Sequence, residues 1–495
     1  MDIIMNQNQV FLITYPDSLG GNLHSLKETM EKDFQGSFSG VHILPPFPST
    51  GDRGFAPVDY TRIEPLFGTY DDIKSIAQNN RLMVDIMVNH VSRRSKYFLD
   101  YAQKGEDSPY RDMFLPLTDF WPEGVPDEKD LSKIFLRREA PYSPYLIKGK
   151  SVNLWTTFGK TTPSEQVDIN VNSDSAQRMF EDTFACFAKN GVSHVRLDAV
   201  GYVTKVPGTS CFFVEPEIYE FLGKITKLAQ KYHLELLPEV HGHYSLNRKL
   251  LAKEINIYDF ILPYEVLQAI LLKDGTELAG YLKTCPYNQF TTLDCHDGIP
   301  VKPDLDDIAK PENIRKVCDL CESRGSNFSY VLSESHCADG IKVHQIRGTF
   351  FECLGRNEAD YLAARAIQLF APGVPQVYYV GLLAGLNDTA KAQETGDGRE
   401  LNRHNYTGEE IHAAVQKDIV QKLLSLVRLR REHPAFAGEM RVEDSSPREL
   451  RLTWQNGEYF ARLAVDFEKS ASEVTAGKGE EVSFVMSAQD KKISD

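Results

Sequence analysis

"HVRLDAV", residues 194–200, is the stretch on which the fold turns. It is a short, mostly apolar run with its two charged residues, Arg196 and Asp198, two positions apart. Residues at that spacing on a strand face the same side. A helical pattern, "AQRMFEDTFACFAKNG" (176–191), precedes it, and another, "PEIYEFLGKITKLAQKY" (216–232), follows. Runs of the same kind recur along the chain: "VFLITYP" (10–16), "GVHILPP" (40–46), "LMVDIMV" (82–88), "LELLPEV" (234–240), "IYDFILP" (257–263), "QFTTLD" (289–294) and "VPQVYYV" (374–380). They are near-continuously apolar, as strands of a parallel sheet covered on both faces must be. Eight such strands alternating with helices predict an α/β chain folded as a (β/α)8 TIM barrel.

Two gaps are too long for plain connections, 91–169 and 298–359. Structureless loops of that length do not fit a compact domain, so each is read as an inserted subdomain leaving the C-terminal end of a strand. The barrel is then expected over 1–90, 170–297 and 360–434, subdomain B over 91–169 and subdomain B' over 298–359. After His433-Pro434, "RELRLTWQNGEYFARLAVDF" (448–467) alternates around an Asn-Gly turn, the mark of a hairpin. Residues 435–495 are expected to form a small C-terminal antiparallel β domain with a frayed polar tail, "SAQDKKISD".

The chain has 495 residues, 42% of them hydrophobic, and a formal net charge of -15. An acidic balance argues against general nucleic-acid or anionic-membrane binding, which need a positive surface. No apolar run approaches the ~20 residues of a membrane span. "MDIIMNQNQVFLITYP" lacks a basic n-region and a small-residue cleavage site, so a cytoplasmic location is expected. Eight cysteines need no disulfide frame in a chain of this length. Cys318 and Cys321, with His336-Cys337 downstream, read either as a zinc site or as helical cysteines at incidental spacing.

Polar groups gather at the ends of the strands: Arg196 and Asp198, Glu239 and His241, His296 and Asp297, Asn89 and His90, with Asp52, Arg53 and Phe55 in "STGDRGF". Taken singly, an Asp there is often a turn or cap residue and a His a satisfied rim group, as His194 is read. Together they converge on one face of a barrel. Retaining cleavage of a glycosidic bond takes a nucleophilic carboxylate and a carboxylic acid roughly 5 Å apart. Asp198 beside Arg196 suits the first role, since a cation favours the charged form. Glu239, near the negative charge of Asp198 and Asp297, suits the second. Asp297 would grip sugar hydroxyls and stabilise an oxocarbenium-like transition state. His90 and His296 would donate hydrogen bonds to ring hydroxyls, and Phe55 would wall the sugar.

"DIMVNH", "VRLDAV", "LLPEVH" and "LDCHDG" resemble, in order and spacing, the four signature regions of the α-amylase superfamily, glycoside hydrolase family 13. The resemblance implies Asp198 as nucleophile, Glu239 as acid/base and Asp297 as transition-state stabiliser. "ITYPDSLGGNL", "PFPSTGDRGFAPVDY", "FAPGVPQVYYVGLLAG" and "GRELNRHNY" look like the sucrose phosphorylase branch. That implies Asp52, His90, Arg196, His296 and Arg403 around a glucosyl unit, with Phe55 as its platform, attack of inorganic phosphate on a glucosyl-enzyme, and neither metal nor organic cofactor. "VNHVSRRS", "FLRREAPYS", "WTTFGKTTPSEQ", "GTSCFFVEPEIYEFL" and "LDCHDGIPVKPDLD" are similar to that branch's sucrose 6'-phosphate phosphorylases, which release fructose 6-phosphate beside glucose 1-phosphate.

Plain sucrose phosphorylases typically show Asp-Leu/Ile-Tyr-Gln where this chain has Lys342-Val343-His344-Gln345. The exchange moves local charge by about two units toward positive, which favours a phosphorylated leaving group. Arg137 is a second candidate for that phosphate, with Arg138 and Lys302 behind it. Alternation puts Lys342 and His344 on one strand face and Gln345 and Arg347 on the other. Open alternatives are phosphorolysis of unmodified sucrose, glucosylglycerol or glucosylglycerate phosphorolysis, a family 13 hydrolase, and a non-catalytic amylase-like module.

Overall fold

The computed structural model describes residues 7–332 and 339–490. His336, Cys337 and the last five residues of the expected tail lie outside the described residues. Eight parallel strands make one sheet, numbered in chain order: β1 Phe11–Thr14, β2 Gly40–Ile43, β3 Arg81–Met87, β4 His194–Asp198, β5 Glu235–Pro238, β6 Ile257–Asp259, β7 Gln289–Thr291 and β8 Val374–Tyr378. Each falls within or across one of the apolar runs. Their order in the sheet is β6-β7-β8-β1-β2-β3-β4-β5. That circular order is the (β/α)8 barrel, here carrying inserted elements and a five-stranded antiparallel sheet toward the C-terminus. Among the described residues, no helix is long and apolar enough to cross a membrane.

The chain divides into two compact units. One consists of the described residues of Ile43–Val240 and Val331–Ser335. In it β3 and β4 pair in parallel with Asp85 opposite Arg196 and Met87 opposite Asp198, and Leu197 of β4 stands opposite Pro238 of β5. The register therefore brings the carboxyl ends of three strands level. Helix α1, Asp174–Lys189, begins where Ser173 accepts a hydrogen bond from the Ala176 N–H. Its Phe180, Phe184 and Phe187 are fully buried. Each such side chain contributes about 1.5–3 kcal/mol by leaving water; Phe184→Ala would cost about 3–5 kcal/mol. Two antiparallel pairs draw on the first long gap: His90–Ser92, which starts one residue before it, with Gln166–Asp168, and Tyr142–Ile147 with Lys150–Trp155.

The other unit consists of the described residues of Met1–His42, His241–Tyr330 and His336–Asp495. Here β6, β7, β8 and β1 pair in parallel in that order. From the second gap come helix Pro311–Ser323 and a three-stranded antiparallel sheet in which Val343–Arg347 lies between Ile299–Pro300 and Asn327–Tyr330. Cys318 and Cys321 are buried in that helix, with Cys353 the thiol neighbour of Cys321. Both therefore sit on a helix; the other half of the zinc reading, His336-Cys337, lies outside the described residues. The expected hairpin is Glu449–Asn456 against Tyr459–Asp466, and Gly457 takes the positive φ its turn requires. Trp454 is fully buried there, with the Arg430 guanidinium 4.9 Å from its ring. The expected fraying starts too early, because Glu481–Gln489 is a paired strand that includes Ser487, Ala488 and Gln489.

Candidate functional site

In the first-described unit, β3, β4 and β5 deliver their polar ends to one guanidinium. Arg196 is 3% exposed. Its Nη1 donates to Asp85 Oδ1 and, at 3.1 Å, to Asp198 Oδ1; its Nη2 donates at 2.5 Å to Glu239 Oε1. The other Glu239 oxygen accepts from the Ala199 N–H at 3.1 Å, at a residue held with φ 54. The pairing of Arg196 with Asp198 follows from their spacing. Its bonds to Asp85 and Glu239 do not, since these residues come from the neighbouring strands.

Phe55 is 5% exposed and its ring centre is 5.8 Å from the Arg196 guanidinium carbon. Asp52 and Arg53 both take positive φ in the tight turn before it. The Phe55 carbonyl accepts from Gln166 Nε2 at 2.9 Å and faces His90 Nε2 at 2.8 Å. Burial lowers the His90 pKa, outweighing Asp168 and that carbonyl. His90 is therefore a neutral imidazole with its proton on Nε2, and Nδ1, which has no partner among the described residues, is an acceptor. Lys205, which the sequence did not single out, is buried against Asp168 at 2.8 Å and donates to Asn89 at 2.7 Å.

Arg137 is half-buried with its guanidinium carbon 5.9 Å from the Phe158 ring. Arg138 is committed to Ser143, Thr156 and the carbonyls of Phe158 and Thr161. That leaves it a framework residue and a poor candidate for a ligand phosphate.

In the other unit, β7 leads to His296 and Asp297. Arg399 Nη1 lies 3.4 Å and Arg403 Nη2 3.7 Å from Asp297 Oδ1. Burial alone would raise the Asp297 pKa, but His296, Arg399, Arg403 and His241 together hold it well below the usual carboxylate range. Arg403 is 2% exposed, donates through Nε to the His296 carbonyl at 2.8 Å, and lies 5.8 Å from the Tyr15 ring. Arg399 is not among the residues the sequence singles out, although it lies in the same "GRELNR" stretch as Arg403.

The basic segment divides differently from its alternation. The strand begins at Val343, so Lys342 stands outside it and is exposed. His344 and Gln345 are both buried, on opposite faces of the middle strand. His344 Nδ1 is 2.5 Å from the Lys302 carbonyl, and its ring lies 6.3 Å from that of His241. His241 stacks on Phe260 at 3.9 Å with Nδ1 3.4 Å from Asp304. Lys302 is neutralised by Asp306 and Asp339, each at 2.5 Å. Arg347 is half-buried, and its pKa is lowered by burial and then by Arg399, while Asp397 and Asp297 oppose the shift. Arg347 therefore lies within electrostatic reach of Asp297.

A family model described as "Alpha amylase, catalytic domain" matches residues 34–257. The sucrose 6(F)-phosphate phosphorylase of Thermoanaerobacterium thermosaccharolyticum is 51% identical over 485 residues, covering 97% of this chain and 99% of that protein. The sucrose phosphorylase of Streptococcus mutans is 40% identical over 474 residues, covering 94% and 97%. A crystal structure of sucrose 6F-phosphate phosphorylase from Thermoanaerobacter thermosaccharolyticum superposes with a TM-score of 0.95 at 50% identity, covering 98% of this chain and 99% of that one.

Proposed function

The chain belongs to the branch of the α-amylase superfamily that holds the sucrose and sucrose 6'-phosphate phosphorylases, and on that premise we propose that it converts sucrose 6'-phosphate and inorganic phosphate into α-D-glucose 1-phosphate and D-fructose 6-phosphate. The observation that carries this reading is the 51% identity over 97% of the chain to a protein of that activity. The basic residues at 342 and 344 support it, because a phosphorylated leaving group needs charge-assisted donors.

In this reading Asp198 attacks the anomeric carbon as the bond to the fructosyl oxygen breaks. Glu239 gives that oxygen its proton, and a glucosyl ester forms on Asp198. A phosphate oxygen then attacks the same carbon, Glu239 takes the phosphate proton, and the Asp198 carboxylate is released. Two displacements give net retention. Asp297, held ionised by its cations, stabilises the oxocarbenium-like charge of both transition states. Arg196 keeps Asp198 anionic and aimed. Its bond to Glu239 opposes protonation of that carboxyl, so the acid step requires a bound substrate to loosen this contact. Asp52, His90, His296 and Arg403 hold the glucosyl hydroxyls, with Phe55 as the apolar platform. His344, Lys342 and Arg137 face the fructosyl phosphate, beside Gln345.

The test is to incubate the protein with sucrose 6'-phosphate and inorganic phosphate and follow the products by proton and phosphorus NMR. The reading expects α-glucose 1-phosphate and fructose 6-phosphate in equal amounts. A β-anomer would contradict retention. Glucose released at the same rate without phosphate would make the protein a hydrolase.

A further inference from the structure

A cavity of about 400 Å³ lies on the flank of β6, lined by helix Tyr244–Leu251 and by helices Leu262–Leu272 and Thr276–Leu282. Its lining includes none of the candidate site residues described above, and its volume is within the range of small-molecule pockets. Three carboxyl groups line it: Asp259, Glu265 and Glu277. Two are satisfied. Asp259 accepts from the Ile261 and Leu262 N–H groups, both at 3.0 Å, and Glu277 pairs with Lys310 at 2.9 Å and accepts from Gln268. Glu265 is 1% exposed, and neither of its carboxyl oxygens has a hydrogen-bond partner among the described residues. A buried carboxyl without partners is costly and calls for an occupant.

The lining selects the occupant's chemistry. Acid predominates, and the guanidinium of the lining Arg248 is 5.0 Å from the Tyr244 ring. The three carboxyls do not bring one oxygen each within 4.8 Å of one another as a set, so they do not form a three-carboxylate metal cluster. Tyr244, Tyr258 and Tyr281 share the wall with apolar side chains such as Leu251 and Ile308. Aromatic rings attract cations, and the apolar wall accepts a hydrocarbon stem. We propose that this cavity binds a small organic ammonium, a primary amine on a short apolar chain, with its charged head on Glu265.

The linked proton can be followed. Burial, then Glu277 and Asp259, push the Glu265 pKa up to about 8. Near neutral pH the carboxyl is protonated. On binding R–NH3+ it gives that proton to solvent and accepts N–H bonds as a carboxylate, while the amine stays protonated. Affinity should therefore rise with pH by about tenfold per unit up to about 8 and then level off.

The experiment is calorimetric titration of the full chain with n-butylammonium chloride at pH 6, 7, 8 and 9. 1-Butanol is the neutral control, and phosphorolysis is assayed in parallel. The proposal expects one saturable site for the ammonium, none for the alcohol, and the stated rise with pH. Glu265→Gln should weaken binding at least tenfold at pH 9 and leave phosphorolysis unchanged. Equal binding of 1-butanol, a flat pH series, or no saturable heat would overturn it. So would binding that survives Glu265→Gln and inhibits competitively, because the amine would then sit at the strand-end carboxylates. Should Glu265→Gln fail to fold, the wild-type pH series decides alone.

Discussion

Arg196 and Glu239 are joined by a hydrogen bond of 2.5 Å, formed by the same guanidinium that holds Asp198. A planar fork can serve two carboxylates at once; an ammonium is a point charge and cannot reproduce that geometry. Arg196→Lys should therefore lower kcat/KM for sucrose 6'-phosphate by about 10²–10³-fold, the scale of a lost preorganised donor. Steady-state phosphorolysis checks this, with circular dichroism confirming the fold. A loss below tenfold would mean that the fork is not needed.

Asp297 is expected to stabilise the fold as well as the transition state. Its folded pKa is depressed by His296, Arg399, Arg403 and His241 against the opposing effect of burial. The native state thus binds fewer protons there than the unfolded chain. The stability so gained is present above the unfolded carboxylate value of about 4 and is lost as pH falls through the folded one. Asp297→Asn should lower the melting temperature by a few degrees at pH 7, and the gap should narrow on acidification below about 4. A melting temperature at pH 7 equal to the wild type would show that the cations do not depend on Asp297.

The two halves of the chemistry were unequally legible. The strands showed themselves because near-continuous apolar runs leave few other structures for "HVRLDAV" or "VPQVYYV". Arg196 and Asp198 announced each other through their spacing. Asp85 could be tied to Arg196 only by knowing the register of β3 against β4. Lys302 met Asp306 four residues on, but its second partner, Asp339, is remote in sequence. Alternation over 342–347 failed at its first residue because the strand starts at Val343. It could not say that Arg347 would come within electrostatic reach of Asp297 either. Glu265 does leave a signal in the sequence, a single acid inside the apolar helix "LPYEVLQAILL".

His344 is the buried cation candidate of its segment, whereas Lys342 is exposed. His344→Tyr should therefore reduce kcat/KM for sucrose 6'-phosphate by about 10–100-fold, the scale of one charge-assisted hydrogen bond. The value for sucrose should change far less. Lys342→Asp should have the smaller effect of a solvent-screened charge. Parallel kinetics on both substrates separate these outcomes, and equal losses on both would remove His344 from phosphate recognition.

Glu265 carries a stability signature of the opposite sign to Asp297. With its folded pKa at about 8, above the ordinary 4.5, the native state holds a proton that the unfolded chain has released. Stability therefore falls as pH rises between those values, by up to about 1.4 kcal/mol per unit. Glu265→Gln removes the penalty, so its melting temperature should exceed that of the wild type at pH 9 by more than at pH 5. Thermal denaturation at the two pH values measures the difference; a constant gap would mean that Glu265 is ionised throughout.

The choice of leaving group is tested most directly by one comparison. Phosphate-dependent formation of glucose 1-phosphate should be measured with sucrose 6'-phosphate and with sucrose under identical conditions. A kcat/KM at least about tenfold higher for the phosphorylated sugar, a difference of about 1.4 kcal/mol in transition-state binding, is the expected result. A preference for unmodified sucrose would contradict the account.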